Sequence, residues 1–268
     1  MSDVIKLSSP ATRGFWEIPI LFEDDHLLAL NKPASLLTSP DRYNPEQPSL
    51  MQLLHRDIER AAPWAKKREG MSYLMNAHRL DFETTGIILL AKTKPVLIAL
   101  ANQFGSEKPL KTYAALVRGS MHQDTFEITA KIGPHPLKLG VMRIDEKMGK
   151  RAQTDFTVRE RFKGFSILEC RPHTARTHQI RVHLQHLGLP ILGDSTYGGA
   201  QLLLSSLKRD YHLKPKKTER PLIATLALHL EKMTLLHPVS SQELSVEAEW
   251  PKDLRVAVKY LRLPTPNG

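Results

Sequence analysis

The sequence predicts an α+β fold, with a mixed, mostly antiparallel central sheet flanked by helices and loops. Three observations predict it. Strand-length apolar segments outnumber segments with helical spacing. Helices fall between strands without the regular strand–helix–strand alternation of a doubly wound sheet. A chain of 268 residues that is 41% hydrophobic can fill a sizeable core.

The elements follow in order. Residues 18–22 and 27–30 flank the turn-forming pair Asp24-Asp25, a hairpin pattern that Asn31-Lys32-Pro33 closes. Residues 33–48 carry four prolines and read as a long loop, and long loops in compact domains are often functional. Leu50, Leu53, Leu54, Ile58 and Ala61 follow helical spacing behind Ser49 as N-cap, with Pro63 as the stop. Lys66-Lys67-Arg68 is a basic loop. The branched run 87–91 reads as a buried strand. Residues 95–104 form an apolar helix ending at Gly105, and 111–118 a strand. Strands at 154–161 and 165–171 meet at a Lys163-Gly164 turn. A helix over about 177–187 buries Ile180, Leu184 and Leu187 and ends at Gly188 and Pro190. Strands return at 222–236 and 243–249. Residues 207–221 are strongly basic and aperiodic, part of an expected surface insertion over about 201–221. The chain shows no internal repeat or linker, so one domain is expected over residues 1–268, with its core at about 18–252.

The formal charge is +10, from 38 Lys and Arg against 28 Asp and Glu, which favours a polyanionic partner. Excess surface lysine would give the same count. Cys170 is the only cysteine, so no internal disulfide forms and a reducing compartment is expected. The first ten residues lack the apolar core of a secretory signal. The apolar runs 87–91 and 96–101 are too short to cross a bilayer. The expectation is a cytoplasmic protein with no membrane association.

The densest chemistry sits at Ala77-His78-Arg79-Leu80-Asp81, just ahead of the 87–91 strand. A carboxylate beside an arginine stays ionised and placed, as a nucleophile or base must be. A plain structural ion pair has the same appearance. A second dense segment runs from Arg176 through Thr177, His178, Gln179, Ile180 and Arg181 to His183. If helical, it sets His178, Arg181 and Gln185 on one face, either solvated or presenting an arginine to a carboxylate elsewhere. Tyr113 lies on a strand, where its ring can stack on a base or simply pack. Gly149-Lys150-Arg151 is a basic turn. His178, His183 and His186 lack the i, i+4 pairing of a helical zinc site, so no metal site is expected. No P-loop, GxGxxG, CxxC or GxSxG pattern occurs, so no cofactor is expected either.

Taken together, these segments resemble the RluA-type family of RNA pseudouridine synthases. The resemblance rests on His78-Arg79-Leu80-Asp81 with Thr84, Gly86 and Ala91-Lys92-Thr93. It rests equally on Arg176 to Leu184, continuing through Gly188, Pro190, Gly193-Asp194 and Tyr197-Gly198. Weaker supports are Asn31-Lys32-Pro33, Lys111 with Tyr113, Ala152-Gln153-Thr154, Leu228-His229 and His237-Pro238. It covers roughly residues 20–250.

The resemblance implies the pseudouridine synthase fold with a central basic active-site cleft, and an isomerase turning uridine into pseudouridine in ribosomal or transfer RNA. A monomer is the default expectation. It implies that Asp81 is the catalytic aspartate, Arg181 the arginine that pairs with it, and Tyr113 the tyrosine that stacks on the flipped base. Arg79 would fill the vacated space, and Lys32, His78, Arg176, His178 and Gln179 would join it in binding RNA. Serine at position 35 and alanine at 175 stand where the family often has glycine; an ordinary backbone is expected at Ala175. Thr85 replaces a common serine and Leu189 a common histidine. No S4-type RNA-binding domain is expected before residue 20. The alternative is an RNA-binding protein on the same fold without catalysis.

Overall fold

Asp24 makes the hairpin that the sequence predicts around residues 18–30. Its Oδ1 accepts from the backbone N–H of His26 at 2.8 Å and of Leu27 at 2.7 Å, turning the chain between two strands. The computed structural model describes residues 3–41, 44–68, 70–208, 211–212 and 218–263. It divides into two compact units: 1–111 with 230–249, and 112–229 with 250–268.

In the first unit, β1 (Val4–Ser9), β2 (Gly14–Glu23), β3 (Leu27–Lys32) and β5 (Thr85–Ala91) pair antiparallel in succession, and β4 (Met75–Asn76) pairs with the far end of β5. The β3–β5 register runs from Leu27 opposite Ala91 to Lys32 opposite Gly86. All seven residues of β5 are buried, as its unbroken apolar run requires. β11 (Leu228–Leu236) enters this unit at Leu230 and pairs antiparallel with β12 (Glu243–Glu247). Gly86 has φ +113°, and a Cβ there would run into the Leu230 carbonyl oxygen, so only glycine fits. Helix α1 (Leu50–Glu59) starts on a full capping box between Ser49 and Gln52 and buries Leu50, Met51, Leu53 and Leu54. Each such leucine contributes about 2 kcal/mol of burial. The sequence reading took the helix to Ala61 and made Pro63 its stop. Instead the helix ends at Glu59, Ala61 turns left-handed at φ +51°, and Pro63 opens a short helix α2 (Pro63–Lys66). Helix α3 (Lys94–Gly105) is capped by Thr93.

In the second unit, β6 (Leu110–Arg118), β10 (Phe165–Pro172), β9 (Lys150–Phe162), β7 (Thr125–Pro134) and β8 (Met142–Ile144) lie side by side, all antiparallel. Helices α4 (Gln179–His186) and α5 (Lys252–Leu261) complete it. Its core gathers Leu116, Phe156, Leu168, Leu184, Ile191 and Leu254.

With five helices among the described residues and antiparallel registers throughout both units, the expected α+β class holds. Strands β1, β7 and β8 and helix α5 were not anticipated. The expected strand 222–236 begins only at Leu228; the preceding residues turn, with Ile223 bridged to Leu202. Of the basic stretch 201–221, residues 209–210 and 213–217 lie outside the described residues. Its flanks are anchored by Leu202 and Ile223, both buried.

Candidate active site

Asp81 stands in the segment between β4 and β5, half-buried, while Arg79 two residues earlier is exposed. Both neighbours of Asp81 are clamped by residues 32–38, the end of β3 and the loop after it. On one side, Thr38 Oγ1 donates to the Leu80 carbonyl at 3.0 Å and accepts from the Leu80 N–H at 3.1 Å. On the other side, Lys32 Nζ donates to the carbonyl oxygens of Phe82 at 3.2 Å, Leu36 at 2.7 Å and Pro33 at 2.9 Å. A neutral amine has two N–H donors, so three acceptors call for the ammonium. Burial pushes the Lys32 ammonium down to about 7, and the Asp81 charge pulls it back up.

These facts correct the reading of Lys32. Its side chain is fully buried and spent on backbone, so it shapes the Asp81 segment and presents nothing to a phosphate. Thr38 was missed; a buried threonine within a proline-rich loop carries no local signal. Ser35 has φ +58°, the left-handed conformation that glycine adopts most easily. Ala175 has no positive φ, as expected.

His78 also faces inward. Its Nε2 accepts from the Leu89 N–H at 3.2 Å, and its ring stacks on Phe104 at 5.2 Å. Burial, aided by the nearby Lys111 charge, pushes its imidazole down to about 3, so the ring is neutral and braces β5.

In the second unit, Tyr113 sits half-buried on β6, opposite Cys170 of β10 and packed against the core. The helix expected over 177–187 is α4, and its expected polar face is split: Gln185 meets solvent, while His178 is half-buried and Arg181 buried. Arg181 is only 8% exposed and forms a two-pronged ion pair with buried Asp194: Nε to Oδ2 at 2.8 Å and Nη2 to Oδ1 at 2.9 Å. His178 precedes the helix with φ +55°, and its Nδ1 lies 2.7 Å from the Tyr197 hydroxyl. Gln185 is exposed. Gln179, expected to touch RNA, is buried. Its amide donates to the Gln153 carbonyl and Thr154 Oγ1, and its oxygen accepts from Thr174 Oγ1 and the Arg176 N–H. Arg176 is half-buried, with Nε donating to the Arg151 carbonyl at 3.0 Å.

Asp194 and Tyr197 were quoted in the sequence motif but given no role. Thirteen residues separate Asp194 from Arg181, beyond the reach of helical spacing rules. Among the described residues, no helix is long and apolar enough to cross a membrane.

Comparisons with known proteins bear on this arrangement. Residues 26–186 match the family described as RNA pseudouridylate synthase. Ribosomal large subunit pseudouridine synthase D of Xanthomonas campestris pv. campestris is 37% identical over 249 residues, covering 91% of this chain and 69% of that one. The protein of the same name from Xylella fastidiosa is 37% identical over 251 residues, covering 91% and 70%. The solved structure of human RNA pseudouridylate synthase domain containing 4 superposes with a TM-score of 0.71 at 25% identity, covering 96% of each chain.

Proposed function

The chain belongs to the RNA pseudouridylate synthase family, an isomerase converting uridine to pseudouridine in RNA, and we propose that Asp81, Tyr113 and Arg181 carry that reaction here. The reaction breaks the N1–C1′ bond, turns the base and forms a C5–C1′ bond. The C5 proton leaves and N1 ends protonated, so nothing is oxidised. Asp81 is the carboxylate that attacks the nucleotide or takes a sugar proton. Arg181 is the cation that acts with Asp81 in this reading. Tyr113 stacks on the flipped base and assists with the C5 proton. Arg79, exposed beside Asp81, fills the space the base leaves.

The observation that carries this reading is the double clamp on Asp81. Thr38 fixes Leu80 and Lys32 fixes Phe82, so the backbone on both sides of the carboxylate is held. An aspartate that merely decorated the surface would need no such support. The names of the relatives support ribosomal RNA as the substrate, with transfer RNA as the alternative. The reading includes a cytoplasmic monomer in which residues 1–268 act as one catalytic domain.

Replacing the C5 proton releases it to water, so RNA carrying tritium at uridine C5 reports turnover. Asp81→Ala should abolish tritium release while RNA affinity stays near that of the unaltered protein. Retained release would overturn the assignment of Asp81, and absence of release from the unaltered protein would favour the reading of a non-catalytic RNA binder.

A further inference from the structure

We propose that Asp194 and Tyr197 are positioning residues that fix the direction of the Arg181 guanidinium; the proposal rests on the reading that Arg181 acts in the reaction. Arg181 is almost wholly buried, and a buried cation needs a partner and a full set of hydrogen bonds. Asp194, 1% exposed, takes its Nε–Nη2 edge with two near-equal bonds of 2.8 and 2.9 Å. A planar fork held at two points cannot swivel about its long axis. The direction of Nη1 is therefore set by Asp194 and not by side-chain torsions alone.

Asp194 is itself held. The Tyr197 N–H donates to its Oδ1 at 3.2 Å, and the Gly199 N–H donates to its backbone carbonyl at 2.7 Å. Gly193, at φ +77°, lies so close to the Thr225 carbonyl that no Cβ would fit, which pins the turn from behind. The Tyr197 ring then covers the guanidinium, with Arg181 Cζ 4.8 Å from its centroid. Its hydroxyl accepts from the Met142 N–H at 2.9 Å and meets His178 Nδ1 at 2.7 Å. One tyrosine thus ties three elements to the arginine: the turn after Asp194, strand β8 and the residue that opens α4. The family match ends at residue 186, ahead of both Asp194 and Tyr197.

A purely structural ion pair would affect melting and leave turnover of the folded protein intact. The test is a double-mutant cycle on Arg181→Gln and Asp194→Asn, read by tritium release, with thermal melts confirming that each variant is folded. Asp194→Asn should lower kcat by about tenfold or more with KM changed less than about twofold. The double variant should match Arg181→Gln alone within about twofold, because Asp194 acts only through the arginine. If Arg181→Gln keeps its kcat, the underlying reading fails and the inference falls with it. If Arg181→Gln loses kcat while Asp194→Asn does not, or if the two losses multiply, the reading stands and the inference is overturned. Should Asp194→Asn fail to fold, Tyr197→Phe decides. It keeps the ring over Arg181 but drops the bonds to His178 and Met142, and should lower kcat severalfold at unchanged KM. An undiminished kcat in that variant overturns the inference.

Discussion

Lys32 Nζ donates a 3.2 Å hydrogen bond to the carbonyl oxygen of Phe82, the residue next to Asp81 in the chain. The same ammonium holds Pro33 and Leu36, so one buried charge joins the 33–36 loop to the Asp81 segment. Removing it strands buried carbonyls. Lys32→Met should destabilise the protein by about 3 kcal/mol. It should also lower turnover in whatever fraction stays folded, because the chain beside Asp81 loses its anchor. Urea melts with tritium release measure both; a variant as stable and active as the parent would show that the ammonium is not what fixes Phe82.

Thr38 does the matching work on Leu80, with one hydroxyl serving as donor and acceptor to the same residue. Thr38→Val keeps the shape and removes both bonds. Both Leu80 groups are buried, so a loss of about 2 kcal/mol is expected. Thr38→Ser should restore most of it, since the hydroxyl is the active part. Equal stabilities for the valine and serine variants would assign the effect to packing alone.

What could be read from the sequence was what depends on near neighbours. The Asp24 turn, the Ser49 cap and the buried run of β5 are each decided within a few residues, and each formed as read. Lys32 was misread because its acceptor at Phe82 lies fifty residues away; a lysine beside a loop proline looks like any surface cation until the chain closes over it. Asp194 shows the same limit, since it meets Arg181 only after α4 has ended. Helix α5 gave a weak start signal: Asp253 lies in its first turn, but Pro251 occupies its N-cap and no side chain caps it. Strand β7 alternates but leaves most of its residues exposed or half-buried, with a weak apolar face to detect. The apolar residues 222–227 resembled a strand, yet they turn, and the Thr225 carbonyl abuts Gly193.

Gly86 follows from the β5 register. At φ +113°, with the Leu230 backbone where a Cβ would stand, alanine meets a steric and a conformational penalty together. Neither β5 nor β11 can shift freely, because every residue of β5 is buried. Gly86→Ala should cost about 3 kcal/mol or more, and Gly70→Ala, also at positive φ but with open space around it, clearly less. Chemical denaturation of the two variants side by side separates the clash from the φ penalty. Equal losses would place the whole effect in the backbone angle.

His183 sets an acid limit on the second unit. Its side chain is fully buried, and its Nδ1 lies 2.9 Å from Thr154 Oγ1, which also accepts from the Gln179 amide. With both ring nitrogens buried, the imidazole is neutral in the folded protein. Burial first, and the neighbouring His186 second, push it down from 6.5 to about 4. Between those two values the unfolded chain binds a proton that the folded protein refuses, so stability falls as pH falls. The full effect is on the order of 3 kcal/mol across that window, and stability above pH 6.5 is untouched by this residue. His183→Gln keeps a polar group near Thr154 without titrating there. Melting curves from pH 7 down to pH 4.5 should fall less steeply for His183→Gln than for the parent, even if the variant starts lower. Parallel curves would place the acid sensitivity on other groups.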